Sequence, residues 1–146
     1  MQYPIPTLRA CALATIPGCH FAHGEKEEAN ITLDQLTPDS RVVLVEDKML
    51  VVPSVNKYGM RTTVTFQATI SVLAYSQLTD DAAARLPRMD ALLTEAFALL
   101  SALEKHPAIA KVVARNIVSS YNAFDANLDG VVLQLDITPA ERASLC

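Results

Sequence analysis

The longest regular pattern in the chain is an alternation of apolar and polar residues from Thr63 to Tyr75. Alternation with many β-branched residues is typical of a half-buried strand. At about 3.3 Å per residue this strand would be about 40 Å long, close to the diameter of a folded chain of this size. We therefore expect one end to extend beyond the core, where its backbone groups need a covering partner. The apolar face would carry Val64, Phe66, Ala68, Ile70, Val72 and Ala74.

A second strand is predicted before this one. The apolar run Arg41–Glu46 fits a short buried strand, and Met49–Val52 fits its continuation beyond a bend. The segment Pro53–Gly59 contains turn-forming residues. Arg41 to Tyr75 therefore predicts an antiparallel pair with an extended connection, which would form a projecting hairpin.

Two helices are predicted. Leu8–Ile16 contains helix formers and is followed by Pro17 and Gly18, which stop a helix. A longer helix is predicted after Thr79, where a threonine cap precedes two acids that favour the positive end of the helix dipole. Pro87 predicts a kink or restart after Arg85.

The apolar face predicted for the longer helix follows steps of three and four residues, and His106 with Pro107 predicts its end. The face comprises Met89, Leu93, Ala96, Phe97, Leu100 and Leu103.

The last third of the chain predicts a β-hairpin. Asn116–Phe124 and Val131–Ile137 alternate, and the turn-rich sequence DANLDG lies between them. Asn116–Phe124 also fits one face of a helix, so both interpretations stay open. Ala108–Ala114 fits one short helical turn, and Pro139 ends the second strand.

These elements predict a single domain over residues 1–146, of class α+β. Residues 1–40 would hold the N-terminal helix and a polar surface connection over Phe21–Ser40, and residues 41–146 would form the core. We expect a mostly antiparallel sheet, one long helix packed on one face, and the projecting hairpin.

Composition narrows the function classes. The chain is 51% hydrophobic and 19% charged, yet no run approaches the roughly eighteen apolar residues of a membrane span. Its first residues lack the basic region of a signal peptide, since Arg9 stands alone there. The net charge is −4 and the basic residues are scattered, which disfavours dedicated nucleic-acid binding. Three cysteines, at 11, 19 and 146, suggest reduced thiols in a cytosolic environment.

One segment matches the spacing of a calcium loop. Asp125, Asn127 and Asp129 occupy positions 1, 3 and 5, Gly130 occupies the turn position, and Asp136 occupies position 12. The residues after Gly130 alternate as a strand does, and Pro139 would disrupt an exit helix. An acidic hairpin turn is the preferred interpretation, with calcium binding as the alternative.

Other chemistry has weaker support. Cys11, Cys19, His20 and His23 could supply zinc ligands, but no second ligand pair follows at the spacing of a structural site. Phosphate-binding loops, nucleophile elbows and zinc-protease helices are missing from the sequence. Nothing in the spacing of Ser119, Ser120 and His106 supports a triad. We therefore expect no enzyme activity and no cofactor.

The order of long strand, helix and acidic hairpin resembles the lambda-type tail-terminator family of long-tailed bacteriophages. The resemblance covers Thr65 to Ile137, in the sequences TFQATISVLAYSQLTDDA and SSYNAFDANLDGVVLQLDIT. It implies a structural virion protein, assembled in the host cytoplasm, that forms a hexameric ring on the tail tube and ends tube polymerisation.

Partners follow from the same resemblance. It implies contact with the tail tube protein and the head-tail connector, with DNA only passing through the ring and no membrane partner. Related tail-completion and neck proteins are an alternative. On the projecting hairpin we expect Lys48, Lys57, Tyr58 and Arg61 to contact a neighbouring subunit or the tube.

Overall fold

The computed structural model describes residues 3–24, 40–55, 57–59, 61–76, 80–123 and 128–140. The described elements, in chain order, are α1 (Ile5–Thr15), β1 (His20–Gly24), β2 (Arg41–Glu46), β3 (Leu50–Val55), β4 (Arg61–Tyr75), α2 (Ala82–Lys105), β5 (Ile109–Ala123) and β6 (Leu128–Pro139). Neither described helix is both long and apolar enough to span a bilayer.

The six strands form one mixed sheet, which confirms the α+β class. The strand order is β1-β2-β4-β6-β5, and β3 pairs with β4 on the side that β2 also occupies. β1 and β2 are parallel, whereas the other described pairings are antiparallel.

The long strand predicted from Thr63 to Tyr75 is confirmed as β4, and it begins two residues earlier. Its predicted apolar face is buried from Val64 to Ala74. β2 pairs with its second half and β3 with its first half, so these two strands follow one another along the same edge. The predicted continuation of Arg41–Glu46 beyond a bend is therefore confirmed, but it spans Leu50–Val55 and so includes the first three residues of the segment predicted as a turn.

The main core lies between the sheet and the two helices. Alternate residues of β4 and β6 face α2 and α1, and these side chains form one buried cluster. A smaller buried cluster contains Val42, Leu44, Leu73 and Leu128. Since Leu73 lies one residue from Val72 in β4, this cluster is on the opposite face of the sheet.

The predicted apolar face of α2 is partly wrong. The buried residues are Met89, Leu92, Ala96, Leu99 and Leu103. Leu93 and Phe97 were predicted in this face, but they are exposed. Adjacent leucines at 92 and 93 allow two faces with similar spacing, and the packing against the sheet selects the first.

The start of α2 also differs from the prediction. The cap is Asp81, whose Oδ1 accepts a 2.8 Å hydrogen bond from the backbone N–H of Ala84. Thr79 lies outside the described residues. The helix is continuous through Pro87, so a restart after Arg85 is wrong. Pro87 stands in the second turn, where the packing of the following turns outweighs one missing backbone hydrogen bond.

Two segments predicted as irregular or helical are strands. β1 occupies His20–Gly24 within the predicted surface connection, whereas residues 25–39 lie outside the described residues. β5 begins at Ile109, where a helical turn was predicted, and runs through the segment that fitted either helix or strand. Both strands are determined by pairing with distant segments, which local propensity does not encode.

Candidate functional site

The β3–β4 pair exposes apolar side chains on both of its faces. Every residue of β3 is exposed, including four large apolar residues, Leu50, Val51, Val52 and Val55. Successive strand residues point to opposite faces, so neither face of β3 is covered. An apolar strand exposed in this way is typical of an interaction surface and is an aggregation hazard in an isolated chain.

The same pair extends past the neighbouring strand. β6 pairs with β4 only from Phe66 to Tyr75, so within the described residues Arg61 to Val64 pair with β3 alone. The edge of β3 that faces away from β4 pairs with no other described strand. It contains Pro53, which has no N–H to donate to an added strand. This edge therefore favours recognition through side chains over backbone addition.

The predicted contact residues occupy both ends of β3. Lys57 and Tyr58 lie together at the turn, where the Lys57 Nζ is 5.0 Å from the centre of the Tyr58 ring, and Tyr58 is 72% exposed. Lys48 is exposed but precedes β3, so it lies at the other end of a strand about 20 Å long. Arg61 begins β4, and its side chain lies outside the described part of the chain.

The charge of this segment differs from that of the chain as a whole. Residues 48–61 contain Lys48, Lys57 and Arg61 and no acidic residue, whereas the chain has a net charge of −4. The β3–β4 pair therefore presents apolar and basic side chains to solvent, and its electrostatic complement is an acidic apolar surface.

Sequence reasoning missed a second exposed apolar surface, on α2. Leu86, Leu93 and Phe97 are all exposed, and we call these three residues the outer stripe. They recur at steps of seven and four residues, so they lie on one side of the helix. The signal that could have found this stripe is the number of apolar positions in α2, which exceeds what one buried face can hold.

The residues of the predicted calcium loop are not brought together. Asp129 and Asp136 lie in β6, about 23 Å apart along the strand, whereas calcium ligands all lie within about 2.6 Å of the ion. Asp125 and Asn127 lie outside the described residues. Asp136 is instead paired with Arg115, at 2.8 Å.

Asp129 lies at the centre of a buried ion-pair network. Its carboxylate is completely buried and lies 3.1 Å from Arg88 and 3.8 Å from Arg85. Arg88 also pairs with Asp80 at 2.9 Å. Two acids and two arginines thus join the start of α2 to β6, which fixes the helix against the sheet.

The four predicted zinc ligands lie in different environments. His20 and His23 are three residues apart on β1, so their side chains point to opposite faces of the sheet. His23 pairs with Asp47 at 3.4 Å, and both Cys11 and Cys19 are buried free thiols. Within the described residues no cluster of metal-binding side chains forms.

Burial raises the pKa of both thiols above the ordinary cysteine value. A raised pKa lowers the thiolate fraction at a given pH, and burial limits access by a reagent. In a Cys146→Ser variant at pH 8, we expect Cys11 and Cys19 to react with a thiol reagent about tenfold or more slowly than in urea. Equal rates with and without urea would contradict this arrangement.

The serines and the histidine considered for a triad lie at opposite ends of β5. Ser120 is paired with Gly130 near the end of β5, whereas His106 caps α2 just before β5 begins. The Nδ1 of His106 accepts a 3.1 Å hydrogen bond from the backbone N–H of Ala108. The structure does not bring these residues into one site.

A scan of the chain against protein-family models found no match, and a search of curated proteins found no significantly similar sequence. The β3–β4 pair and the outer stripe are therefore interpreted from their chemistry.

Proposed function

We propose that this protein is a tail-terminator protein of a long-tailed bacteriophage, a structural component that forms a ring, caps the tail tube and joins the tail to the head-neck connector. The observation that carries the proposal is the two-sided exposure of β3, whose large apolar side chains need a covering partner. A tail-completion or neck protein would use such a surface in the same way.

The proposal gives the β3–β4 pair the role of the projecting hairpin, and α2 that of the one long helix packed on a face of the sheet. The register of β4 with β6 places Pro139, the last residue of β6, opposite Val64, so Arg61 to Thr63 and the turn with Lys57 and Tyr58 extend beyond β6. A neighbouring subunit that covers this turn would bury apolar area worth about 25 cal/mol per Å².

Assembly would occur in the host cytoplasm, and the finished ring would lie in the virion between tube and connector. The proposed oligomer is a hexamer, with the tail tube protein and the connector as partners and DNA only passing through the lumen. Six chains of 15.8 kDa give a particle of about 95 kDa. Light scattering and negative-stain microscopy of the purified protein test this, and a ring with a central hole is the expected image. A monomer at all concentrations would contradict the proposal.

Shortening the β3–β4 turn should abolish the ring. Deleting Val55–Gly59 removes the exposed end of the pair while leaving the part of β4 that pairs with β6. We expect a folded monomer by circular dichroism and size-exclusion chromatography. Intact rings after this deletion would remove the turn from the interface.

A point variant with a matched control sharpens this test. Val55→Ser with Tyr58→Ser should weaken association about 30-fold, because buried aromatic and apolar contacts of about 2 kcal/mol are lost. Val118→Ser is the control, since Val118 on β5 is 54% exposed, close to the 64% of Val55. Equal effects of the two changes would indicate a general loss of stability instead of a lost interface.

A further inference from the structure

We propose that β3, together with the turn that carries Lys57 and Tyr58, docks on the outer stripe of α2 in a second copy of this chain. This inference rests on the proposed function and names the receiving surface for the ring contact. It is carried by the chemistry, the spacing and the placement of the two surfaces.

The two surfaces have complementary chemistry. The β3–β4 pair is apolar and basic, with Lys48 and Lys57 exposed at the two ends of β3. The outer stripe is apolar and acidic, since the exposed Asp90 and Glu104 lie on the same side of α2. A second copy supplies the required partner without any other protein.

The charges also have comparable separations. Lys48 and Lys57 lie outside the two ends of a strand of about 20 Å, so their Cα atoms are between about 20 and 30 Å apart, within reach of two long side chains. Asp90 and Glu104 are fourteen residues apart in one helix, which corresponds to about 21 Å. Leu93 and Phe97 lie between the two acids, and Leu86 lies about one turn before Asp90. The apolar residues of β3 likewise lie between the two lysines, so one docking geometry pairs both ends and buries the middle.

The surfaces face opposite sides of the subunit. In projection down α2, Glu95 lies roughly 80° to one side of the buried face, and the outer stripe lies roughly 80 to 120° to the other side. Glu95 pairs with Arg41 of β2 at 3.0 Å, so its side faces β2 and the β3–β4 pair. The outer stripe therefore faces the β5 side of the sheet.

Opposite placement excludes a two-fold contact between these two surfaces. A contact from one side of a subunit to the other side of the next is heterologous, and it gives a ring when the rotation closes. The lateral placement of the surfaces thus agrees with a ring in which each subunit donates a β3 strand with its turn and receives one.

Charge reversal tests this pairing. Variant A carries Lys48→Glu and Lys57→Glu, and variant B carries Asp90→Lys and Glu104→Lys. Each variant alone would place like charges across the contact, and we expect its dissociation constant to rise about tenfold or more. All four changes in one chain, or an equal mixture of A and B, should restore assembly. Lys111→Glu on β5 is the control for a general effect of charge. Lys111 is exposed and adjoins Val112, which packs against the main core, so Lys111 points to the face of the sheet away from α2.

Light scattering at several concentrations gives the readout, and circular dichroism verifies that each variant is folded. If variants A and B both form rings as well as the wild type does, the pairing is wrong, although the ring itself stands. The same holds if the chain with all four changes does not regain assembly. Wild-type protein that stays monomeric would overturn the proposed function and this pairing together.

Discussion

Replacing Asp129 by asparagine is expected to lower the free energy of unfolding by about 3 kcal/mol. The Asp129 carboxylate is completely buried, while the side chains of Arg85 and Arg88 are 21% and 23% exposed. Without the charge of Asp129, Arg85 and Arg88 would lose the fully buried carboxylate that they share, while Arg88 would keep its contact with Asp80. The expected cost lies at the low end of the range for broken buried pairs, because both arginines still reach water.

Urea unfolding gives the free-energy change, and the midpoint of thermal unfolding should fall by about 10 °C for a domain of this size. Asp136→Asn is a matched control within the same strand. Asp136 and its partner Arg115 are 27% and 41% exposed, so the loss of this pair should cost less than about 1 kcal/mol. If the two variants lose similar free energies of unfolding, the Asp129 network stabilises the fold no more than a surface ion pair does.

The network also has a consequence for the proposed interface. Asp129 is held by arginines from the first two turns of α2, the same part of the helix that carries Leu86. A looser start of α2 would displace the first residue of the outer stripe. Asp129→Asn should therefore weaken assembly in addition to lowering stability.

The sequence predicts best those elements in which the alternation of apolar and polar residues matches the buried and exposed faces. β4 alternates because one face packs on the helices, and β6 alternates from Val131 to Ile137 for the same reason. β1 and the start of β5 lack such an alternation. β1 has five residues and is defined by parallel pairing with β2.

The candidate site was predictable to a different extent. The excess length of β4 predicts an exposed turn before it, and Lys57 and Tyr58 lie exposed in that turn, while their contact with a partner stays a prediction. The outer stripe was not predicted, because its residues are as apolar as those of the core. Only the packing of α2 on the sheet shows which apolar face of the helix is buried. The calcium-loop alternative came from residue spacing alone. In the structure Asp129 and Gly130 have separate roles within β6: Asp129 pairs with arginines of α2, and Gly130 leaves space for Leu73.

Replacing Gly130 by alanine is expected to lower the free energy of unfolding by about 2 kcal/mol, and valine should cost more. Gly130 lies inside β6 between its partners Leu73 on β4 and Ser120 on β5. A β-carbon here would overlap Cδ2 of the buried Leu73 and lie 2.9 Å from the carbonyl oxygen of Val72. The side chain of Leu73 has little room to move and the backbone of β4 has less, so the strands must separate locally.

Gly18→Ala separates this steric effect from the conformational freedom of glycine. Gly18 has a φ of +76° and no atom within 4 Å of an added β-carbon, so its replacement should cost about 1 kcal/mol through backbone strain alone. A shorter side chain at position 73 provides the sharper test. In a Leu73→Ala background, Gly130→Ala should cost less than it does in the wild type, because one of its two overlaps is gone. Strictly additive losses in urea unfolding would show that Leu73 is not what requires glycine at position 130.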